Sequence, residues 1–333
     1  MIKVAKEHPM DKIEMRQAYV AALIKAARED ERVVAVNCDL STSMGTVPFA
    51  KEFPGRSFNV GIQEANGCGL AAGLSAVGLI PFFHSFATFS SRRICDQLYL
   101  SCAYAGLNVK IVGGDPGISA TYNGGTHMAF EDIGVLRSIP SITIVEPSDA
   151  VMMKQIVPQI KDMYGVVYMR MQRKPTPVIY EEGSEFKIGK AVVLREGDDL
   201  SLIASGMTVI ETLKAADMLE KDGISARVVD MFTIKPADSE CIINCAKETG
   251  LIVTVENHNI IGGLGSAVAE VLSEHAPVYL ERVGVNDEFG EVGDKEYLIK
   301  RFGLDAEAIY ERAGQAYEKK KRARSFICTA NMP

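Results

Sequence analysis

Glu64 stands where a carboxylate can meet a ligand. The run Asn59-Val60-Gly61-Ile62-Gln63-Glu64 ends a β-like segment, and Ala65 to Leu74 follows at once as a helix built largely of Gly and Ala. Parallel α/β sheets place their ligands at the C-terminal ends of strands, so this junction offers Glu64 for proton exchange with a bound group. The plainer alternative is a first-turn carboxylate stabilised by the helix dipole. Phe86 and Phe89, three apart in PFFHSFATFSSRRICDQ, are either core residues or walls of the same cleft. The Gly/Ala helix is poor on propensity alone; its small residues make sense if another backbone approaches closely, at a domain or subunit contact.

The elements that must position these groups alternate regularly. Helical spacing over Ile13 to Ala27 is followed by the short, β-branched run Val33–Val36, as in a buried parallel strand. Further strands are expected at Phe58–Ile62, Pro81–Phe83, Val109–Val112, Ile142–Val145 and Val166–Arg170, with room for a crossover helix between each pair. That pattern predicts an α/β fold with a doubly wound parallel sheet. Prolines and charge between Lys174 and Glu185 read as a linker. A smaller α/β domain follows, with strands at Leu200–Ala204, Ala226–Met231, Leu251–Val255 and Val278–Val283. The division is therefore residues 1–176, a linker at 177–188, and 189–333.

Composition narrows the function. The chain has 333 residues, 47% apolar and 24% charged, enough for two cores. A net charge of −7 argues against nucleic acid, and the basic run Lys319–Arg324 reads as a solvated helix end. No apolar stretch reaches the roughly 20 residues of a membrane span, and MIKVAKEHPMDK lacks a signal-peptide core; the expected location is cytoplasmic. Seven cysteines, an odd count, suit a reducing compartment. Cys241 and Cys245 have no second Cys or His pair to complete a zinc site and read as small buried hydrophobes.

Taken together the chain resembles the C-terminal half of transketolase. The resemblance rests on Arg16, Asp39-Leu40-Ser41, FAKEFPGRSFNVGIQE, the Phe86/Phe89 pair, GTHMAFEDIGVLRSIPSITIVEPSDA, Arg170 to Arg173, VTVENHNIIGGLGSAVAEVL and VNDEFGE. It implies a pyrimidine-binding domain followed by the family's C-terminal domain. It further implies that Glu64 hydrogen-bonds N1′ of the aminopyrimidine of thiamine diphosphate and so promotes proton loss at thiazolium C2. Such a carboxyl must sit near a neutral pKa or share its proton, which desolvation encourages. Phe86 and Phe89 are then packed on the pyrimidine, with Asp39 and Ile62 also at the cofactor. The glycine-rich Gly262–Gly265 is assigned to a helix start, and His258 to no catalytic role.

Other positions follow from the same resemblance. Arg16, Ser43 and Arg173 match the residues that hold a sugar phosphate, a task suited to arginine's planar fork; ordinary surface charges are the alternative for both arginines. His127 matches a histidine near the reacting carbon, although a lone His is more often structural. Asp115 stands where the family has a histidine, and Asn123 where it has an aspartate, so substrate preference is expected to differ. The implied reaction is transfer of a two-carbon ketol unit from a ketose phosphate to an aldose.

The family's Gly-Asp-Gly motif, which holds the Mg2+ (or Ca2+) diphosphate, does not occur in the sequence. No metal ligand is therefore expected in this chain. A separate N-terminal subunit is expected to supply them, with two copies of each chain, a homodimeric contact between copies of this chain, and a buried contact at the Gly/Ala helix. Alternatives are a half of a deoxyxylulose-phosphate synthase-like enzyme, a 2-oxoacid dehydrogenase β subunit, or a non-catalytic assembly subunit.

Overall fold

The computed structural model describes residues 2–330, with side chains through residue 322. Among the described residues twelve strands form two sheets: β1 (Val33–Asn37), β2 (Ser57–Asn59), β3 (Ile80–Phe86), β4 (Lys110–Gly114), β5 (Thr143–Val145), β6 (Val167–Met171), β7 (Val192–Arg195), β8 (Leu200–Ala204), β9 (Ala226–Asp230), β10 (Thr233–Lys235), β11 (Leu251–Asn259) and β12 (Tyr279–Val285). Their orders are β10-β5-β6-β4-β3-β1-β2 and β12-β11-β8-β9-β7. Strands β1, β4 and β6 are buried at every position, which is why they read as short apolar runs without alternation.

The expected strands are present with shifted ends. β2 stops at Asn59 because Gly61 turns the chain at φ +74° before the helix Glu64–Ala76 begins. Phe86 closes β3, and Phe89 lies in the turn beyond it, so the aromatic pair straddles the strand end. Two strands lie beyond the expected set. β7 pairs antiparallel with β9 at the edge of the second sheet, and β10 leaves that sheet to pair antiparallel with β5 of the first. Three- and four-residue strands bearing Lys or Arg carry too little periodicity to stand out in sequence.

The two sheets are therefore stitched together. The proline-rich connector is packed in part: Ile179 and Tyr180 are buried, while Glu181, Glu182 and Gly183 face solvent. Asp149 caps the helix Ala150–Asp162 by accepting from the Met152 N–H at 2.8 Å. Its other oxygen accepts the N–H groups of Ile179 and Tyr180 at 2.9 and 2.8 Å. Tyr180 then donates its hydroxyl to Asp230 on β9 at 2.7 Å. Along the last helix Lys319 and Lys321 are exposed, Lys320 donates to the Asp199 carbonyl at 2.7 Å, and Arg324 lies outside the described side chains. Cys245 is buried and Cys241 only half-buried, and among the described residues no His/Cys/Asp/Glu cluster suited to a metal forms. No described helix is long and apolar enough to cross a membrane.

Candidate active site

β1, β2, β3, β4 and β6 run parallel, so the residues that follow them share one edge. Asp39, the Gly61–Glu64 turn, Phe86, Asp115 and Arg173 meet there. The same edge gathers positive φ at Asp39 (+60°), Gly61 (+74°) and Asp115 (+52°). Unusual backbone of this kind is characteristic of ligand-handling sites.

Glu64 opens its helix, yet its carboxylate does not cap it. It is 1% exposed, with Oε1 accepting from the Ser85 hydroxyl at 3.0 Å and Oε2 from Arg93 Nη1 at 2.7 Å. The alternation of β3 explains the first contact. Phe83 and Ser85 face the Glu64 helix, where a Cβ on Gly67 would come within 2.8 Å of the Phe83 ring. Phe82 and His84 face the opposite helix, Met15–Glu29, where the Tyr19 hydroxyl meets His84 Nε2 at 2.6 Å. His84 Nδ1 donates to the Val36 carbonyl at 3.0 Å, and burial pushes its pKa down to about 4. It is a neutral structural histidine.

An aromatic trio is linked to Glu64 through Arg93. His127 packs edge-on against Phe86 and Phe89, with ring centroids 5.6 and 5.1 Å away. Arg93 rests over Phe89 at 4.0 Å and Arg173 over Phe86 at 5.1 Å. Arg173 thus leads to the second cluster. Its Nη1 reaches the Ser43 carbonyl at 3.4 Å, and Arg16 Nη1 reaches the same carbonyl at 2.9 Å. Asp115 Oδ2 accepts from Arg173 Nε at 2.6 Å.

The sequence-derived candidates therefore fall into groups. Phe86, Phe89 and His127 come together, as do Arg16, Ser43, Asp115 and Arg173. Asp39 accepts a side-chain bond from Asn59 at 3.4 Å, Ile62 stands 72% exposed, and Asn123 is exposed on its turn. Among the described residues these three make no hydrogen bond to Glu64. Ser85, Arg93 and Glu14 carry no assignment from sequence; period-two alternation from Phe83 is the one signal pointing to Ser85.

The glycine-rich loop holds an internal carboxyl group. Glu256 accepts from the N–H groups of Leu264 and Gly265 at 2.6 and 2.9 Å, at the start of the helix Leu264–His275. A Cβ on Gly263 would lie 2.0 Å from that carboxylate, so glycine permits the approach. Burial pushes Glu256 up to about 7. His258 accepts from Gly134 N–H at 3.2 Å and donates to the Asn259 carbonyl at 2.6 Å, and burial pushes it down to about 4.

Residues 11–178 match the family described as transketolase, pyrimidine binding domain, and residues 189–309 match transketolase, C-terminal domain. The chain belongs to the transketolase family. It is 49% identical over 306 residues to the 6-deoxy-6-sulfo-D-fructose transketolase subunit of Clostridium sp. (strain MSTE9), covering 92% of this chain and 95% of that one. It is 39% identical over 308 residues to an apulose-4-phosphate transketolase subunit of Phocaeicola vulgatus, covering 92% and 98%. Rat transketolase is 36% identical over 305 residues, 90% of this chain but 48% of that enzyme. A solved structure titled split gene transketolase, inactive beta4 tetramer, superposes with TM-score 0.85 at 41% identity, covering 92% and 99%. Transketolases depend on thiamine diphosphate. The site suits the pyrimidine end of that cofactor, since a buried carboxyl oriented by Ser85 is joined through Arg93 to aromatic walls.

Proposed function

We propose that this chain is the pyrimidine-holding half of a split transketolase that transfers a two-carbon ketol unit from an anionic ketose to an aldose. Residues 1–176 form the pyrimidine-binding unit, 177–188 the connector and 189–333 the C-terminal unit. The observation that carries the reading is the buried Glu64 carboxyl, held by Ser85 and joined through Arg93 to the trio Phe86, Phe89 and His127. Bound thiamine diphosphate supplies the carbon nucleophile for the transferred unit.

Glu64 holds a proton at the aminopyrimidine N1′. Ser85, fully buried, fixes Oε1, whereas Arg93 has a side chain 45% exposed and is the exchangeable partner of Oε2. Phe86 and Phe89 form the cofactor wall and exclude water, with Asp39 and Ile62 also at the cofactor. His127, braced between two rings, orients the sugar hydroxyls with Asn123. Arg16, Ser43 and Arg173 face the sugar's anionic end.

A second, N-terminal chain bearing Gly-Asp-Gly supplies the Mg2+ or Ca2+ and diphosphate ligands, in an assembly of two copies of each. An exposed face fits that contact. Along the Glu64 helix Ala65, Gly69 and Gly73 are exposed, flanked by Ile62, Val77, Leu100 and Tyr104. The names of the Clostridium and Phocaeicola relatives, each a transketolase subunit, support a partner chain.

The test is reconstitution. This chain, the partner, thiamine diphosphate and Mg2+ should transfer a ketol unit to an aldose, while this chain alone should not. Equal failure of all ketose donors with the partner present, or turnover by this chain alone, sinks the reading.

A further inference from the structure

The proposed anion subsite already contains its own counterions. Arg173 is held by Asp115 through Nε at 2.6 Å and through Nη2, and its backbone N–H donates to the same carboxylate at 3.3 Å. The Asp115 and Arg173 side chains are only 4% and 15% exposed, so solvent screens this pair weakly. Arg16 donates Nε to Glu14, which also faces the exposed Lys174 at 3.6 Å, and the Arg16 and Glu14 side chains are 23% and 22% exposed. Each of the two arginines is therefore paired with a carboxylate, Glu14 being shared with the solvent-facing Lys174. Among the described residues Arg16 Nη2 has no hydrogen-bond partner, so donors for a ligand oxygen remain although the charge is offset.

Hydrogen-bonding capacity from arginines whose charge is offset discriminates by ligand charge, the remaining cation, Lys174, being solvent-exposed and screened. A sulfonate and a phosphate have similar shape and three terminal oxygens, but the phosphate monoester is close to a dianion above its second pKa of about 6. The second negative charge meets Asp115 at close range with little positive field left to stabilise it.

We propose that Asp115, assisted by Glu14, tunes this subsite to ketoses whose terminus carries a single negative charge, such as a sulfonate, over phosphate dianions. The proposal rests on the transketolase reading and names its substrate class. Asp115 is a specificity residue here, acting through Arg173. Its φ of +52° is one that asparagine also tolerates, so Asp115→Asn removes the charge while keeping size and backbone preference.

The test is calorimetric titration of the full chain at about pH 8 with two hexuloses that differ only in terminal sulfonate or phosphate. The sulfonate-ended sugar binds wild type at least as tightly as the phosphate-ended one. Asp115→Asn shifts the ratio of the two Kd values toward phosphate by roughly tenfold, and Glu14→Gln shifts it less, in the same direction. A wild-type preference for phosphate of about tenfold or more, an unmoved ratio in folded Asp115→Asn, or binding of neither sugar overturns the proposal. If Asp115→Asn does not fold, the wild-type ratio and Glu14→Gln decide. Because binding is read without turnover, an inactive reconstituted complex defeats the transketolase reading while leaving this comparison intact.

Discussion

Arg170, on β6, donates Nη2 to the main-chain carbonyl of Asn257, on β11, at 3.0 Å, and so ties the first sheet to the second. The rest of its guanidinium is shared between Asp132 Oδ2 at 2.8 Å and Glu146 Oε1 at 2.6 Å, all fully buried. Glu146 in turn accepts from Ser205 at 2.7 Å, and Asp132 from Tyr168 at 2.7 Å. Burial opposes the charge on Arg170, but the fields of both carboxylates outweigh it and hold the guanidinium charged.

Removing that charge leaves two buried carboxylates unpaired. Arg170→Met is expected to lower stability by about 3–5 kcal/mol, read as a lower denaturant midpoint. A loss below about 1 kcal/mol would show that the network relaxes around the gap.

Glu64→Gln keeps the Ser85 bond but removes the proton-holding carboxylate. Turnover of the reconstituted complex should fall by about a hundredfold or more, with the fold intact by circular dichroism. Arg93→Ala should cost roughly tenfold or less, since Arg93 is the partner to be displaced. Equal losses for both variants would assign Arg93 a larger role than steadying Glu64.

Asp230 gives a pH signature. Burial pushes its carboxyl up from 3.8 to about 7, against the bonds from Ser148 and Tyr180. The folded state therefore holds a proton that the unfolded chain releases, and the resulting stability, full below about pH 4, is lost as pH rises toward about 7. Glu256 acts in the same sense, whereas His84 and His258, pushed down to about 4, act oppositely over a similar window. The clean observable is a difference. Asp230→Asn should gain stability relative to wild type between about pH 5 and pH 8, measured by urea unfolding. A constant gap would mean that Asp230 titrates normally.

Gly69 tests the exposed helix face. A Cβ there meets nothing within 4 Å, so Gly69→Leu should raise the stability of the isolated chain by up to about 1 kcal/mol through helix propensity. It should also block association with the partner chain, read by light scattering. Undiminished assembly would move the contact elsewhere.

Much of the molecule is legible in order along the chain. The strand–helix alternation is readable because buried parallel strands are short β-branched runs, and Glu64 is placed by the strand end before it. Ser85 and Arg93 lie within the phenylalanine-rich segment but have no role until β3 pairs and its alternation acquires a direction. β10 escapes because three residues carry no period. The connector's prolines are visible in sequence, but the burial of Ile179 and Tyr180 depends on Asp149 and Asp230, which are remote in sequence.

The sequence by itself determined the α/β fold class and the resemblance that marked Glu64, Phe86, Phe89, His127 and the two arginines, because local periodicity and motif spacing survive in one dimension. The tertiary structure decided what those groups are bonded to. Asp115 lies 58 residues from Arg173, and only the parallel pairing of β4 with β6 sets their side chains together. Charge balance depends on distance in space, so Arg173's counterion emerged only with the fold.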